Sequence, residues 1–123
     1  MKKILIYQLV MLFILVGCSS AVKTNPTARS ILADNPQADI LQYKDVVYRN
    51  VTEEEWLDSS TYIKGEKLGE IAKRTTSTLF FKNCYATKLK AGTSFFATNN
   101  NSFSMIIVEI GDKQLLYQAL LEG

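Results

Sequence analysis

An apolar run of 13 residues, Ile4 to Val16, follows Lys2 and Lys3 and ends two residues before a cysteine. Its polar interruptions are Tyr7 and Gln8. As a helix it would be about 20 Å long, well short of the ~30 Å hydrocarbon core of a bilayer. A short positive start and an apolar stretch of this length are the pattern of a removed export leader. Residues 1–17 are therefore expected to lie outside the fold. One small domain remains, with a thin core.

The leader ends in Leu15-Val16-Gly17-Cys18. This resembles the lipobox read by bacterial lipoprotein processing, in which a Leu and two small or modest residues precede an obligatory Cys. The resemblance implies a diacylglyceryl thioether on the Cys18 sulfur and cleavage before Cys18. It makes Leu15, Val16 and Gly17 the recognition residues of the signal peptidase. In some bacteria the new amino group is acylated as well. Two acyl chains anchor stably where one binds only marginally, each buried CH₂ contributing about 0.8 kcal/mol.

Residues 18–38 are expected to form a lipidated start and a flexible linker. Ser19 to Asn35 is rich in Ser, Thr, Asn, Ala and Pro, and as a coil of about 20 residues it would reach roughly 25 Å. Arg29 to Ala33 has the makings of a transient helical turn, which Asn35-Pro36 ends because a residue before proline avoids the helical region.

Residues 39–123 read as a β-rich extracytoplasmic domain. Ile40–Tyr43 and Val46–Tyr48 flank Lys44-Asp45 as a hairpin. Thr52-Glu53-Glu54-Glu55 fits a capping box, with Val51 and Trp56 as a hydrophobic staple. This predicts a helix over 53–59, docked through Trp56 and Leu57. Lys67–Arg74, Leu79–Phe81, Tyr85–Leu89, Thr93–Thr98, Phe103–Ile110 and Lys113–Leu121 read as strands, with a break at Lys82-Asn83. Gly111-Asp112 is a two-residue hairpin turn. Across it Ile106, Val108 and Ile110 share one face, as do Leu115, Tyr117, Ala119 and Leu121. The expected fold class is mainly β (α+β), a small twisted antiparallel sheet or SH3-like barrel with one short helix.

Several phrases resemble small uncharacterised lipoproteins of Bacillus-like Gram-positive bacteria. They are Asn35-Pro36-Gln37-Ala38-Asp39-Ile40, Val46-Val47-Tyr48, Gly65 to Ile71, Ala86-Thr87-Lys88-Leu89 with Gly92-Thr93, and Leu121-Glu122-Gly123. The resemblance covers residues 35–123 and implies a cell-membrane location on the extracytoplasmic face. It supplies no catalytic or ligand-binding residue. In a Gram-negative source, Ser19 after the Cys would favour outer-membrane sorting.

Composition closes several routes. Removing Lys2 and Lys3 leaves 12 of the 14 basic side chains against 12 acidic ones, so the mature chain is neutral. A neutral domain has no electrostatic drive toward nucleic acid. Its basic residues are scattered along the sequence, which argues against a polybasic lipid patch. The chain has no histidine, which removes histidine-dependent triads and the commonest zinc ligand. No metal or cofactor site is expected. With Cys18 lipidated, Cys84 has no partner within the chain and reads as a small apolar side chain. Catalysis would have to come from carboxylate pairs such as Glu66 with Glu70 or Asp45 with Glu109; solvated surface carboxylates are the default reading.

The expectation is a non-enzymatic, membrane-held module with a cell-wall polymer or an envelope protein as partner. An inhibitor or regulator of a secreted or envelope hydrolase, acting through a loop such as Asn99–Ser102, is the rival, and a carboxylate-dependent hydrolase is a third. The aromatic residues leave two readings open. They either fill pleated, half-buried strand positions or line an exposed groove for a glycan or extended peptide. In Phe80-Phe81 and Phe95-Phe96, adjacency sends the two rings to opposite faces of a strand.

Overall fold

A computed structural model describes residues 25–99 and 103–122. The expected leader, with Leu15, Val16 and Gly17, the expected lipidation residue Cys18, and most of the loop Asn99–Ser102 lie outside the described residues. The protein is mainly β, an eight-stranded sheet curled into a half-barrel with one short α-helix.

In chain order the elements are α1 (Ala28–Asp34), β1 (Ile40–Tyr43), β2 (Val46–Asn50), β3 (Lys64–Glu70), β4 (Lys73–Arg74), β5 (Tyr85–Ala86), β6 (Ser94–Thr98), β7 (Met105–Ile110) and β8 (Lys113–Ala119). The strand order is β3-β6-β7-β8-β2-β1-β5-β4. All pairs are antiparallel except β4 with β5, which is parallel. The two outermost strands, β3 and β4, are consecutive in the chain. Between them the backbone turns a corner at buried Ile71, whose N–H donates to Thr93 O (2.8 Å) while its carbonyl accepts from Gly92 N–H (2.7 Å). Ala72 N–H then donates to Cys84 O (2.7 Å). One bent segment thus serves both margins, and the sheet curls.

The β1–β2 hairpin forms as its sequence predicts, Tyr43 opposite Val46. Its turn uses positive φ at Lys44 (48°) and Asp45 (65°), the primed geometry that matches strand twist. Asn83 holds the turn, accepting from Asp45 N–H (2.8 Å) and donating to Asp45 Oδ1 (3.2 Å). The β7–β8 hairpin pairs Ile110 with Lys113 across Gly111-Asp112. Ile106, Val108 and Tyr117 point into the concave face with Leu41, Tyr48 and Phe95. Their sequence neighbours Met105, Ile107 and Leu116 are buried on the other face.

That second face needs two covers. One is α1, whose Ala28 and Leu32 pack with Ala38, Ile40 and Val47. Read as a transient turn within a flexible linker, this segment is instead a capped, docked helix. Thr27 Oγ1 accepts from Ser30 N–H (3.1 Å) and Ser30 Oγ accepts from Thr27 N–H (3.0 Å). This is a reciprocal capping box, and burial of the apolar face makes a seven-residue helix stable that would not persist alone.

The other cover is the segment 51–62, where the capping signature predicts a helix over 53–59. None forms there. The chain takes turns, then a short 3₁₀ helix, Ser59–Thr61, capped by Asp58. The physical reason is that the Thr52 hydroxyl is already committed. It donates to Asn50 Oδ1 (2.6 Å) and accepts from the Leu116 N–H of β8 (2.9 Å). It therefore extends the β2–β8 join and leaves the N3 amide uncapped. Val51, Leu57 and Tyr62 pack on Met105, Ile107 and Leu116, while Trp56 stays 57% exposed. Thr52→Val is expected to strand the Leu116 N–H and cost about 1–2 kcal/mol, read as a lower denaturation midpoint at unchanged slope.

The predicted strand Leu79–Phe81 is also absent; the residues form a loop turn, with Leu79 and Phe80 exposed. The predicted strand 67–74 divides at Ile71 into β3 and β4, and β3 starts earlier, at Lys64.

A candidate binding cleft on the half-barrel

The curled sheet leaves a cleft of about 320 Å³ between the tip of the β1–β2 hairpin and β3. Tyr43 and Tyr48 form one wall, Leu68 of β3 and Ile106 of β7 the floor, and Phe103 the mouth. Lys44 and Glu66 stand at its rim. Tyr43 is positioned by an edge-to-face contact with buried Phe95, centroids 5.3 Å apart. Lys44 Nζ lies 5.5 Å from the Tyr43 ring centre. The Tyr48 hydroxyl donates to Phe103 O (3.0 Å), tying the mouth to β2. Burial, then the neighbouring Tyr43, pushes the Tyr48 phenol above its ordinary value, so it stays a neutral donor. The site offers aromatic and aliphatic walls and two opposite rim charges. That suits a ligand with a flat apolar face.

A second polar cluster lies outside the cleft. The Tyr117 hydroxyl donates to Asp39 Oδ1 (2.7 Å), and Asn50 Nδ2 donates to Asp39 Oδ2 (2.9 Å). Asn50 in turn accepts from Thr52, closing a chain that joins β2, β8 and the residue before β1. No buried side-chain nitrogen or oxygen among the described residues lacks a partner, so the cluster is complete as a structural joint. Burial first, then the bond and charge of Asp39, raise Tyr117 far above the ordinary phenol value of 10.0.

This has a signed pH consequence. Below about pH 10 the phenol is neutral in both states and its contribution is whole. Above that pH the unfolded chain releases the proton and the native chain keeps it. Stability then falls by about 1.4 kcal/mol per pH unit. Denaturant titrations from about pH 9 to pH 12 are expected to show this loss, and Tyr117→Phe to remove that part of the slope.

The carboxylate pairs do not meet. Glu66 stands at the cleft rim, while Glu70, four residues on along a strand with two register shifts, pairs with Lys67 (2.8 Å). Asp45 bonds Asn83 at one end of the sheet, while Glu109, opposite Gln114 toward the other, pairs with Lys64 (2.7 Å). No group of three or more His, Cys, Asp or Glu residues among the described residues could hold a metal ion. Cys84 is half-buried against the concave core at a positive φ of 68°, its N–H donating to Gln42 O (2.6 Å). Of the residues expected to carry chemistry, Cys18, Leu15, Val16 and Gly17 are outside the described set. Tyr43, Tyr48 and Phe103 were visible in the sequence only as part of the aromatic total. Asp39 carried no signal beyond standing just before a strand.

No helix among the described residues is long and apolar enough to cross a membrane. Compared with protein families, with curated proteins and with solved structures, the chain finds no match.

Proposed function

We propose that this chain is an extracytoplasmic lipoprotein of the cell membrane, anchored through a lipid on Cys18, whose half-barrel is a non-enzymatic binding module. The observation that carries the reading is Leu15-Val16-Gly17-Cys18 at the end of a charged-then-apolar leader. A thiol at that position is the atom a thioether requires, and small Val16 and Gly17 give a peptidase access to the backbone. The cleft walled by Tyr43, Tyr48 and Phe103 supports a cell-wall polymer as the partner, because sugar faces stack on aromatic rings. An envelope protein is the other partner class in view.

Detergent extraction of membranes followed by intact-mass measurement tests the anchor. The expected species begins at Cys18 and carries acyl mass. A mature chain without acyl mass, or an intact chain free in the cytosol, refutes the reading. Co-sedimentation of the lipoprotein in detergent with purified wall material tests the partner, and Tyr43→Ser with Phe103→Ser is expected to release it.

A further inference from the structure

We propose that the loop tip Leu79-Phe80, with Arg29 and Lys88 beside it, is a second, non-covalent membrane contact that lays the half-barrel against an anionic lipid surface. The inference rests on the Cys18 anchor and adds an orientation to it. Leu79 is 81% and Phe80 74% exposed, adjacent large apolar side chains at the end of one turn. The turn is not loosely hung. Phe81, the next residue, packs on the α1 cluster and meets Tyr85 edge-to-face at 6.1 Å. Thr75 N–H donates to Ala86 O (2.8 Å) on the other side. A fixed base therefore presents two apolar side chains to whatever lies outside.

Charge selects the surface. The basic residues are scattered along the chain, but the carboxylates are not. Residues 71–108 carry Lys73, Arg74, Lys82, Lys88 and Lys90 and no carboxylate. Arg29 and Lys88 share a hollow with Thr76 and with Thr78, the residue before Leu79, and no carboxylate lines it. An apolar tip flanked by cations and hydroxyls matches the layering of an anionic bilayer, with acyl chains beneath phosphates.

The anchor places that surface within reach. From Cys18 to Asn25 there are seven residue steps, which span at most about 25 Å fully extended. Asn25 lies at the foot of α1, where its Oδ1 accepts from Glu122 N–H (3.1 Å), with exposed Leu121 next in the chain. Arg29 follows four residues later on α1. The tether leaves beside the face of α1 that carries Thr27, Ser30, Ile31 and Asp34, roughly opposite the face of Arg29, Leu32 and Ala33, and a chain of about 25 Å is long enough to round a helix about 10 Å across.

The test uses the mature lipidated chain carrying Trp56→Phe and Phe80→Trp, reconstituted into vesicles of mixed zwitterionic and anionic phospholipid. Position 80 is exposed, so the fold is unaffected. The indole at position 80 is expected to emit blue-shifted and to be quenched by lipids brominated in the upper acyl chain. Adding Arg29→Gln and Lys88→Gln is expected to lower the docked-to-free ratio by roughly ten-fold or more. Confirmed acyl mass with unquenched, water-like emission overturns this inference and leaves the anchor standing. Absence of acyl mass overturns both. A blue shift that depends on protein density and ignores brominated lipid means that a second copy covers the tip, which also overturns the inference.

Discussion

Replacing Cys18 with alanine is expected to leave a chain that keeps its leader, carries no acyl mass and accumulates unprocessed. The argument is atomic. The thioether needs a sulfur, and alanine offers no atom in its place. On the proposed lipoprotein reading, cleavage before position 18 depends on that modification, so a single substitution would remove both steps. The retained run Ile4 to Val16 would be about 20 Å long as a helix against a ~30 Å core, a poor substitute for two buried acyl chains. Intact mass of the membrane and soluble fractions reads the outcome directly. The described fold starts at Asn25, beyond the substitution, so circular dichroism of the variant should match that of the wild type in its β content. Ordinary processing of Cys18→Ala, with normal release of a shorter chain, would mean that the leader is a plain secretory signal.

Phe95→Ala is expected to destabilise the domain by about 3–5 kcal/mol, enough to unfold a small protein of ordinary stability. Phe95 is fully buried on β6, in the middle of the concave core. Its ring lies against Gly69 of β3, where an added Cβ would come within 3.2 Å of Cζ, so no side chain on that side could move in to fill the hole. On the other side it holds the edge of Tyr43. Truncation therefore removes the transfer term, leaves a cavity and loosens a wall of the cleft together. Phe95→Leu keeps most of the volume and should cost far less. Urea denaturation of both variants measures the difference. Equal losses would show that packing at this site is not what the geometry implies.

The parts of the fold that were legible in the sequence are those where local and tertiary demands agree. β1, β2 and β6 to β8 combine β-prone residues with turn residues at their ends, and each forms within a residue or two of its predicted bounds. The helix was misplaced because two capping signatures compete. Thr27-x-x-Ser30 lies in a segment whose polarity reads as linker, and only Ile40 and Val47, brought beneath it by the fold, make the burial of Ala28 and Leu32 worthwhile. Thr52-x-x-Glu55 is the stronger local signal, yet its hydroxyl is claimed by Leu116, a residue 64 positions away. The cleft was legible only as one of two readings of the aromatic residues, an exposed groove with no residue assigned to it. Its walls come from β1, β2, β3 and β7, and no spacing within one segment encodes their meeting. Phe80-Phe81 read as a strand because aromatic adjacency suits one; only the structure shows one ring packed at the base of a loop and the other outside it.

The pairing of β2 with β8 has a kinetic consequence. Tyr48 lies opposite Ala119, so the centre of the sheet is made by two hairpin systems that meet only after most of the polypeptide between them has been drawn into a loop. The entropy of closing it is lost before any contact there is gained, which puts this protein among slow-folding topologies. While it waits, the meander from β6 to β8 can assemble locally, and the exposed margin of β8 is the strand most available to a foreign partner.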